Sequence, residues 1–299
     1  MTALAGEIAA AFRAACRDEL EAPKPGNVHI HGAGHRMTAA EFATSAEVAA
    51  DAIAQQSRRI GARILAAAEA TFAAVQTNTN LGIILLAAPL AAAAETRPRD
   101  LRAALASLLE DLDVEDAALA FRAIVLASPA GLGRAERHDV FERPTVTLKG
   151  AMAEAADRDR IARQYVSAFD DVFRLGLASL AAAPRLADPK WATLAVYLGF
   201  LAAFPDSHIV RKHGPTIADD VRRHARILRS RIAAAGDPAQ FLAEIMAWDT
   251  ALKARNINPG TSADLTVATL FAHRLTNILP AARNNGSLRT AGRIPPLSG

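Results

Sequence analysis

An all-α fold is what this sequence predicts, on three observations. Alanine, the strongest helix former, dominates an apolar content of 51%, with leucine behind it. Aromatic residues make up only 5%, and no stretch shows the period-two alternation of a half-buried strand. Ser, Thr, Asp and Asn recur directly before apolar-periodic runs, twice with proline next, at Asp188-Pro189 and Asp237-Pro238. The expected architecture is a single multi-helix globular domain over residues 1–280, with about ten helices. A Gly, Pro, Ser and Asn-rich tail over 281–299 should be frayed, and any site should be built from the interhelical loops.

The first helix, 3–20, carries Leu4, Ile8, Ala11, Phe12 and Ala15 at helical spacing and stops before Pro23. Residues 21–37 hold two prolines and three glycines, which forbid a helix; an irregular stretch this long inside a domain is commonly functional. Thr38-Ala-Ala-Glu41 is a capping box that opens the next helix, which can run on through 57–75. Gln76-Thr-Asn-Thr-Asn80 precedes the uncharged run 81–94. Helices at 100–111 and 114–127 lead to a second irregular stretch, 128–149. Helix resumes at 150–182, 189–204, 215–235, 238–254 and 262–279.

The two longest uncharged apolar runs, 81–94 and 191–204, are 14 residues each, short of the roughly 20 that span a bilayer, so both read as core helices. The N-terminus carries Glu7, Arg13, Arg17, Asp18 and Glu19 and lacks the uncharged centre of a signal peptide. Together these predict a cytoplasmic protein with no membrane partner. A single cysteine, Cys16, excludes an internal disulfide and a thiolate metal site. The net charge of +3 suits anionic small molecules better than nucleic acid. Arg222, Arg226 and Arg229 share one helix face but lack interleaved aromatics, so a solvated face is the simpler reading than an RNA stripe.

Five polar interruptions carry the candidate chemistry. In Lys24-Pro-Gly-Asn27 the lysine offers a point charge to phosphate and the glycine lets backbone approach a ligand; a plain turn is the rival reading. His29, His31 and His35 follow in the same loop without the acidic or cysteine partners of a zinc site, so hydrogen bonding to substrate suits His29 better. Thr77-Asn78-Thr-Asn80 has more polar groups than capping the next helix needs. Gly131-Leu-Gly-Arg134-Ala-Glu136 lacks the Lys-Ser/Thr ending of a P-loop, but Arg134 could meet phosphate and Glu136 could serve as a catalytic carboxylate. Asp206-Ser-His208-Ile-Val-Arg211-Lys212-His213-Gly214 sets an acid, two imidazoles and two cations where an apolar helix surfaces. Asn258-Pro-Gly260-Thr-Ser262-Ala-Asp264 heads a very apolar helix, so Asp264 needs a partner or a metal.

Taken in order, Pro23-Lys-Pro-Gly-Asn-Val28, Thr77-Asn-Thr-Asn-Leu-Gly82, Gly131–Glu136, Asp206–Gly214 and Asn258–Leu265 resemble the triphosphoribosyl-dephospho-CoA synthase family. The resemblance implies an all-α enzyme that moves a triphosphoribosyl group from ATP to the ribose 2′-hydroxyl of 3′-dephospho-CoA, releasing adenine, a step in building the prosthetic group of citrate lyase or malonate decarboxylase. ATP is then a substrate and Mg2+ an expected cofactor.

From residue type, Lys24, Arg134, Arg211 and Lys212 are expected at phosphates. Asn27, His29, Asn78, Asn80, Asn258, Gly260 and Ser262 are expected at sugar or base. Asp206, Asp264 and Glu136 are expected as base or magnesium ligands, with Asp206 and Asp264 sharing the metal, and His208 or His213 as the acid.

Three departures from the family pattern stand out. Asn80 and Leu81 stand where it commonly has His-Lys, Pro205 stands where it has the first of two acids, and Lys212-His-Gly214 replaces Arg-Gly-Gly. These leave open a divergent member acting on another phosphoribosyl or nucleotide substrate, for example in tetrahydromethanopterin assembly. A non-catalytic helical protein that binds an anion or RNA is the alternative from another class. The oligomeric state stays open, a homodimer included.

Overall fold

A computed structural model describes residues 2–32, 37–127, 133, 137–183, 186 and 188–279. The described residues form fourteen α-helices and no strand, all-α as expected but with more helices than ten. They are α1 (Ala3–Glu21), α2 (Ala39–Ile53), α3 (Ile60–Val75), α4 (Leu81–Glu95), α5 (Leu101–Glu110), α6 (Val114–Ala127), α7 (Leu148–Ala155) and α8 (Arg160–Val166). A π-helical turn, Asp171–Gly176, then runs into α9 (Leu177–Ala181). The series closes with α10 (Lys190–Ala203), α11 (Ser207–His213), α12 (Pro215–Ala235), α13 (Leu242–Ala254) and α14 (Gly260–Ile278). The tail over 281–299 lies outside the described residues.

The extra helices come from breaks with local causes. The Thr38–Glu41 capping box forms as expected, but α2 and α3 are separate, with Ser57 in the left-handed region at φ 56° between them. The stretch 150–182 is interrupted twice. Asp159 caps a fresh start by accepting from the amides of Ile161 and Ala162, and Ala168 and Phe169 both take positive φ. Past Phe204 and Pro205 the chain does not become a loop; it restarts as α11.

Most of the core is one cluster that draws on α1 to α8, α10 and α14. A second cluster gathers α10 to α13 around Tyr197, Leu201, Ile209 and Trp248. Helices α10 and α14 contribute to both, so they hold the two together. No single helix among the described residues is long and apolar enough to cross a membrane.

Helix α4 is buried on every side from Ile83 to Ala94, and it contains Pro89. Proline has no N–H, so the carbonyl four residues earlier, on Leu85, loses its helical donor. The phenol of Tyr165 on α8, itself fully buried, donates to that carbonyl at 2.6 Å. Burial raises the phenol's pKa, so it stays a donor throughout the working range. Arg63 on α3, also buried, is paired with Glu95 at the end of α4 and donates to the carbonyls of Ile53 and Arg58. These bonds satisfy a buried cation that would otherwise be costly.

Tyr165→Phe keeps the ring but orphans the Leu85 carbonyl. It should lower the unfolding free energy by about 1–3 kcal/mol, read by urea denaturation; an unchanged midpoint would show that the carbonyl finds another donor.

Candidate active site

The walls of the site are set by how α11 and α14 begin. Asp206 caps α11: its Oδ1 accepts from the backbone N–H groups of His208 at 3.0 Å and Ile209 at 3.2 Å. Its Oδ2 accepts from the backbone N–H and the hydroxyl of Ser262, both at 2.8 Å, in the first turn of α14. One fully buried carboxylate therefore serves the orphan donors of two helix starts. Burial pushes its pKa up, while the Ser262, Ile209 and His208 donors pull it down. The Ser207 and Thr261 hydroxyls, 2.9 Å apart, add a second stitch between the helices.

This differs from the role expected of Asp206 and Ser262. Four donors occupy the carboxylate, and neither side chain lines the adjoining cavity. The expected Asp206–Asp264 metal pair thus lacks one free member. Among the described residues, no three His, Cys, Asp or Glu side chains converge to hold a metal.

That cavity has a volume of about 1250 Å3. His208, Arg211 and Lys212 project into it from α11, and Arg211 reaches Asp159 on the opposite wall at 3.4 Å. Burial and the neighbouring Arg211 charge lower the pKa of Lys212. His213 turns outward instead, its Nε2 at 2.9 Å from the Asn256 carbonyl oxygen, and is not in the wall.

The Lys24–Asn27 turn forms the floor, but its lysine is not available to a ligand. Lys24 is fully buried; it is paired with Glu19 and donates to Asn27 Oδ1 at 3.1 Å and the Val28 carbonyl at 2.8 Å. All three ammonium protons are used. Burial pushes Lys24 down and Glu19 up, and their attraction works against both shifts. Asn27, oriented by Lys24, donates to Asn258 Oδ1 at 2.8 Å, and both amides line the cavity with Glu19.

The turn is pinned from behind. Tyr197 donates to the Pro25 carbonyl at 2.7 Å, and the Gly26 N–H donates to Asp249 at 2.9 Å. His29 belongs to that support and not to the cavity wall. It is buried, with Asp249 Oδ2 and Lys253 Nζ at 3.4 and 3.3 Å from its Nε2. Burial lowers the His29 pKa, and Asp249 only partly restores it.

At the start of α4, Asn78 caps the helix by accepting from the Leu81 N–H at 3.2 Å, and it lines the cavity. Asn80 is buried outside the lining, with its Nδ2 left without a partner. Leu81 and Gly82 follow in the wall. Asp264 packs against Gly82 so closely that any Cβ at position 82 would fall inside the carboxyl group. Gly260 is held in the same way by His208: a Cβ there would lie 2.6 Å from Nδ1. Burial, with the charges of Glu19, Asp206 and Asp159, raises the pKa of Asp264 well above the carboxylate range, and Arg211 only partly offsets this.

Of the residues expected at a site, the structure gathers Asn27, Asn78, His208, Arg211, Lys212, Asn258, Gly260 and Asp264 around one cavity. It leaves Lys24, His29, Asn80, Asp206, His213 and Ser262 behind or outside the wall. Arg134 and Glu136 lie outside the described residues. Glu19 and Asp159 are wall residues that motif reading missed. Glu19 had a signal: it extends the 8, 12, 15 apolar spacing of α1, which places a carboxylate on the buried face. Asp159 fell inside the expected helix 150–182 and gave no signal.

The family model described as CitG, ATP:dephospho-CoA triphosphoribosyl transferase, matches residues 5–282. The fold is similar to a crystal structure from Archaeoglobus fulgidus, provisionally named a triphosphoribosyl-dephospho-CoA synthase. The match has a TM-score of 0.61 and 23% identity, and covers 79% of this chain and 99% of that one. A comparison with curated proteins finds no match.

Asp206→Ala should cost about 3–5 kcal/mol, since it orphans buried donors at two helix starts. The loss, read by chemical denaturation, should be the same with and without Mg2+; a loss that appears only with the metal would make Asp206 a ligand after all.

Proposed function

Because the chain belongs to the CitG family of ATP:dephospho-CoA triphosphoribosyl transferases, we propose that the cavity between α11, α14 and α4 is where it carries out this transfer. The enzyme moves the triphosphoribosyl group of ATP to dephospho-CoA. The observation that carries the placement is one carboxyl, Asp264, set in the same wall as the His208, Arg211 and Lys212 side chains.

The reaction breaks the bond between C1′ and the adenine nitrogen of ATP and joins C1′ to the acceptor 2′-oxygen. The hydroxyl must lose a proton, the departing adenine must gain one, and the ribosyl carbon carries positive charge between. In this reading Asp264 takes the hydroxyl proton. Its crowded, buried setting makes it more basic than an ordinary carboxylate, and the Arg211 charge favours the ionised form that can accept the proton. His208 stands beside the Gly260 turn as the proton donor to adenine. Arg211 and Lys212 hold the triphosphate; Leu81, where the family pattern has lysine, adds no charge to the opposite wall. The Asn27–Asn258 pair offers amide groups to a ribose.

Magnesium enters differently from the ATP it accompanies. With Asp206 engaged, the described residues offer no all-protein cage, and a hard cation of this kind is commonly held by phosphate oxygens and water with one or two carboxylates. Any Mg2+ would then be held chiefly by the triphosphate, and no step is assigned to it.

Adenine should appear in stoichiometric amount with triphosphoribosyl-dephospho-CoA when the protein is given ATP and dephospho-CoA, followed by chromatography and mass spectrometry. No adenine release would defeat the reading. Asp264→Asn should lower kcat by about a hundredfold or more with little change in KM for ATP. Lys212→Ala should raise KM for ATP by about tenfold. Asp264 also predicts a pH effect on the unliganded protein. Its folded pKa exceeds the ordinary 3.8, so the unfolded chain deprotonates first and stability falls as pH rises from about 4 towards the raised value. Asp264→Asn should remove that part of the decline in denaturation curves taken across the range; identical slopes in both proteins would place Asp264 in an ordinary environment.

A further inference from the structure

We infer that the half of the cavity walled by Phe42, Phe72 and Phe121 binds the uncharged amide-and-thiol arm of the acceptor. The inference rests on the transferase reading above and adds the location of one substrate portion. The cavity has two chemically different sides. Helices α1, α11 and α14 bring Glu19, His208, Arg211, Lys212 and Asp264. Helices α2 and α3 pack together, α3 packs on α6, and α6 on α7; these supply Phe42, Phe72, Phe121 and Met152, and the charges that line the cavity at α7 are tied to one another, Glu154 being paired with Arg137 at 3.2 Å and its carbonyl accepting from Arg158. The first turns of α4, with Leu81, Gly82 and Leu85, run between the two sides.

Phe72 is 36% exposed, and it alone among the large exposed hydrophobics of the described residues lines this cavity. Leaving a phenylalanine open inside a concave site is unfavourable unless a ligand covers it.

The substrates decide what that ligand is. The triphosphate of ATP is a multiple anion and cannot shed water against three phenylalanines. The bond that breaks joins ribose to adenine, so the donor base must stay near His208 and Asp264. The acceptor's reacting ribose must lie there too. Beyond its diphosphate the acceptor continues as a long uncharged chain of methylenes, gem-dimethyl carbon and two amides, ending in a thiol. It is the one long apolar portion of either substrate. Gln76 and Asn78, in the wall beside Phe72, can meet its amides.

The test compares dephospho-CoA with ADP, which has the same adenosine and diphosphate but no arm. With adenine release as the readout, the wild type should prefer dephospho-CoA by about a hundredfold in kcat/KM. Phe72→Ala, at an exposed position, and Phe121→Leu, which keeps most of the volume, should each compress that ratio about tenfold with KM for ATP unchanged. A ratio that stays constant in both variants, or a rise in KM for ATP instead, overturns the inference. So does a wild type that uses ADP as well as dephospho-CoA, which needs no variant to fold. If the wild type releases adenine with neither acceptor, the transferase reading fails and this inference fails with it.

Discussion

The carboxylate of Asp206 is the interaction on which the site depends. Each helix begins with amides that have no internal partner, and burying two such beginnings side by side would be costly. One group with four acceptor positions resolves both. The consequence is geometric. Helix α11 is only seven residues long and could not hold its orientation alone. Tied to α14 at its first turn, it presents His208, Arg211 and Lys212 from a fixed base and directs His213 away.

The same logic governs the other buried charges. Lys24 and Glu19 neutralise one another at the floor, and what reaches the cavity is Glu19 itself and the amide that Lys24 orients. Asp249, His29 and Lys253 brace the back of that turn. Burial alone would raise Asp249, but its bonds from His29, Lys253 and Gly26 lower it, so it remains an anion holding the loop. Asp264 is the contrast. It is crowded by other acids and only partly offset by Arg211. A buried group left in that condition is a marker of function more often than of stability.

Much of this was legible in the residues. Capping and proline signals located the helix starts at Ala39, Leu101 and Lys190 to within a residue or two, because they act through the nearest backbone groups. Three of the ordered motifs converge in space, since Asp264, Asn27 and Arg211 line one cavity. What could not be read was the direction of each side chain. Lys24 is a plausible phosphate ligand until Glu19 is found beneath it, and Asp206 a plausible metal ligand until Ser262 is found on its far oxygen. Both outcomes depend on partners brought by tertiary packing. Breaks such as Ala168–Phe169 also escaped, since neither residue type announces a positive φ.

The Pro89–Tyr165 contact gives the fold a direction of permissible change. If Pro89 is replaced first, the new residue brings its own N–H to the Leu85 carbonyl, and the phenol of Tyr165 becomes dispensable. If the hydroxyl is lost first, the carbonyl is stranded inside an apolar helix that is buried on every side. A lineage can therefore leave this arrangement easily by one order of substitutions and only through a weakened intermediate by the other. Two helices distant in the chain thus constrain the order in which each can change.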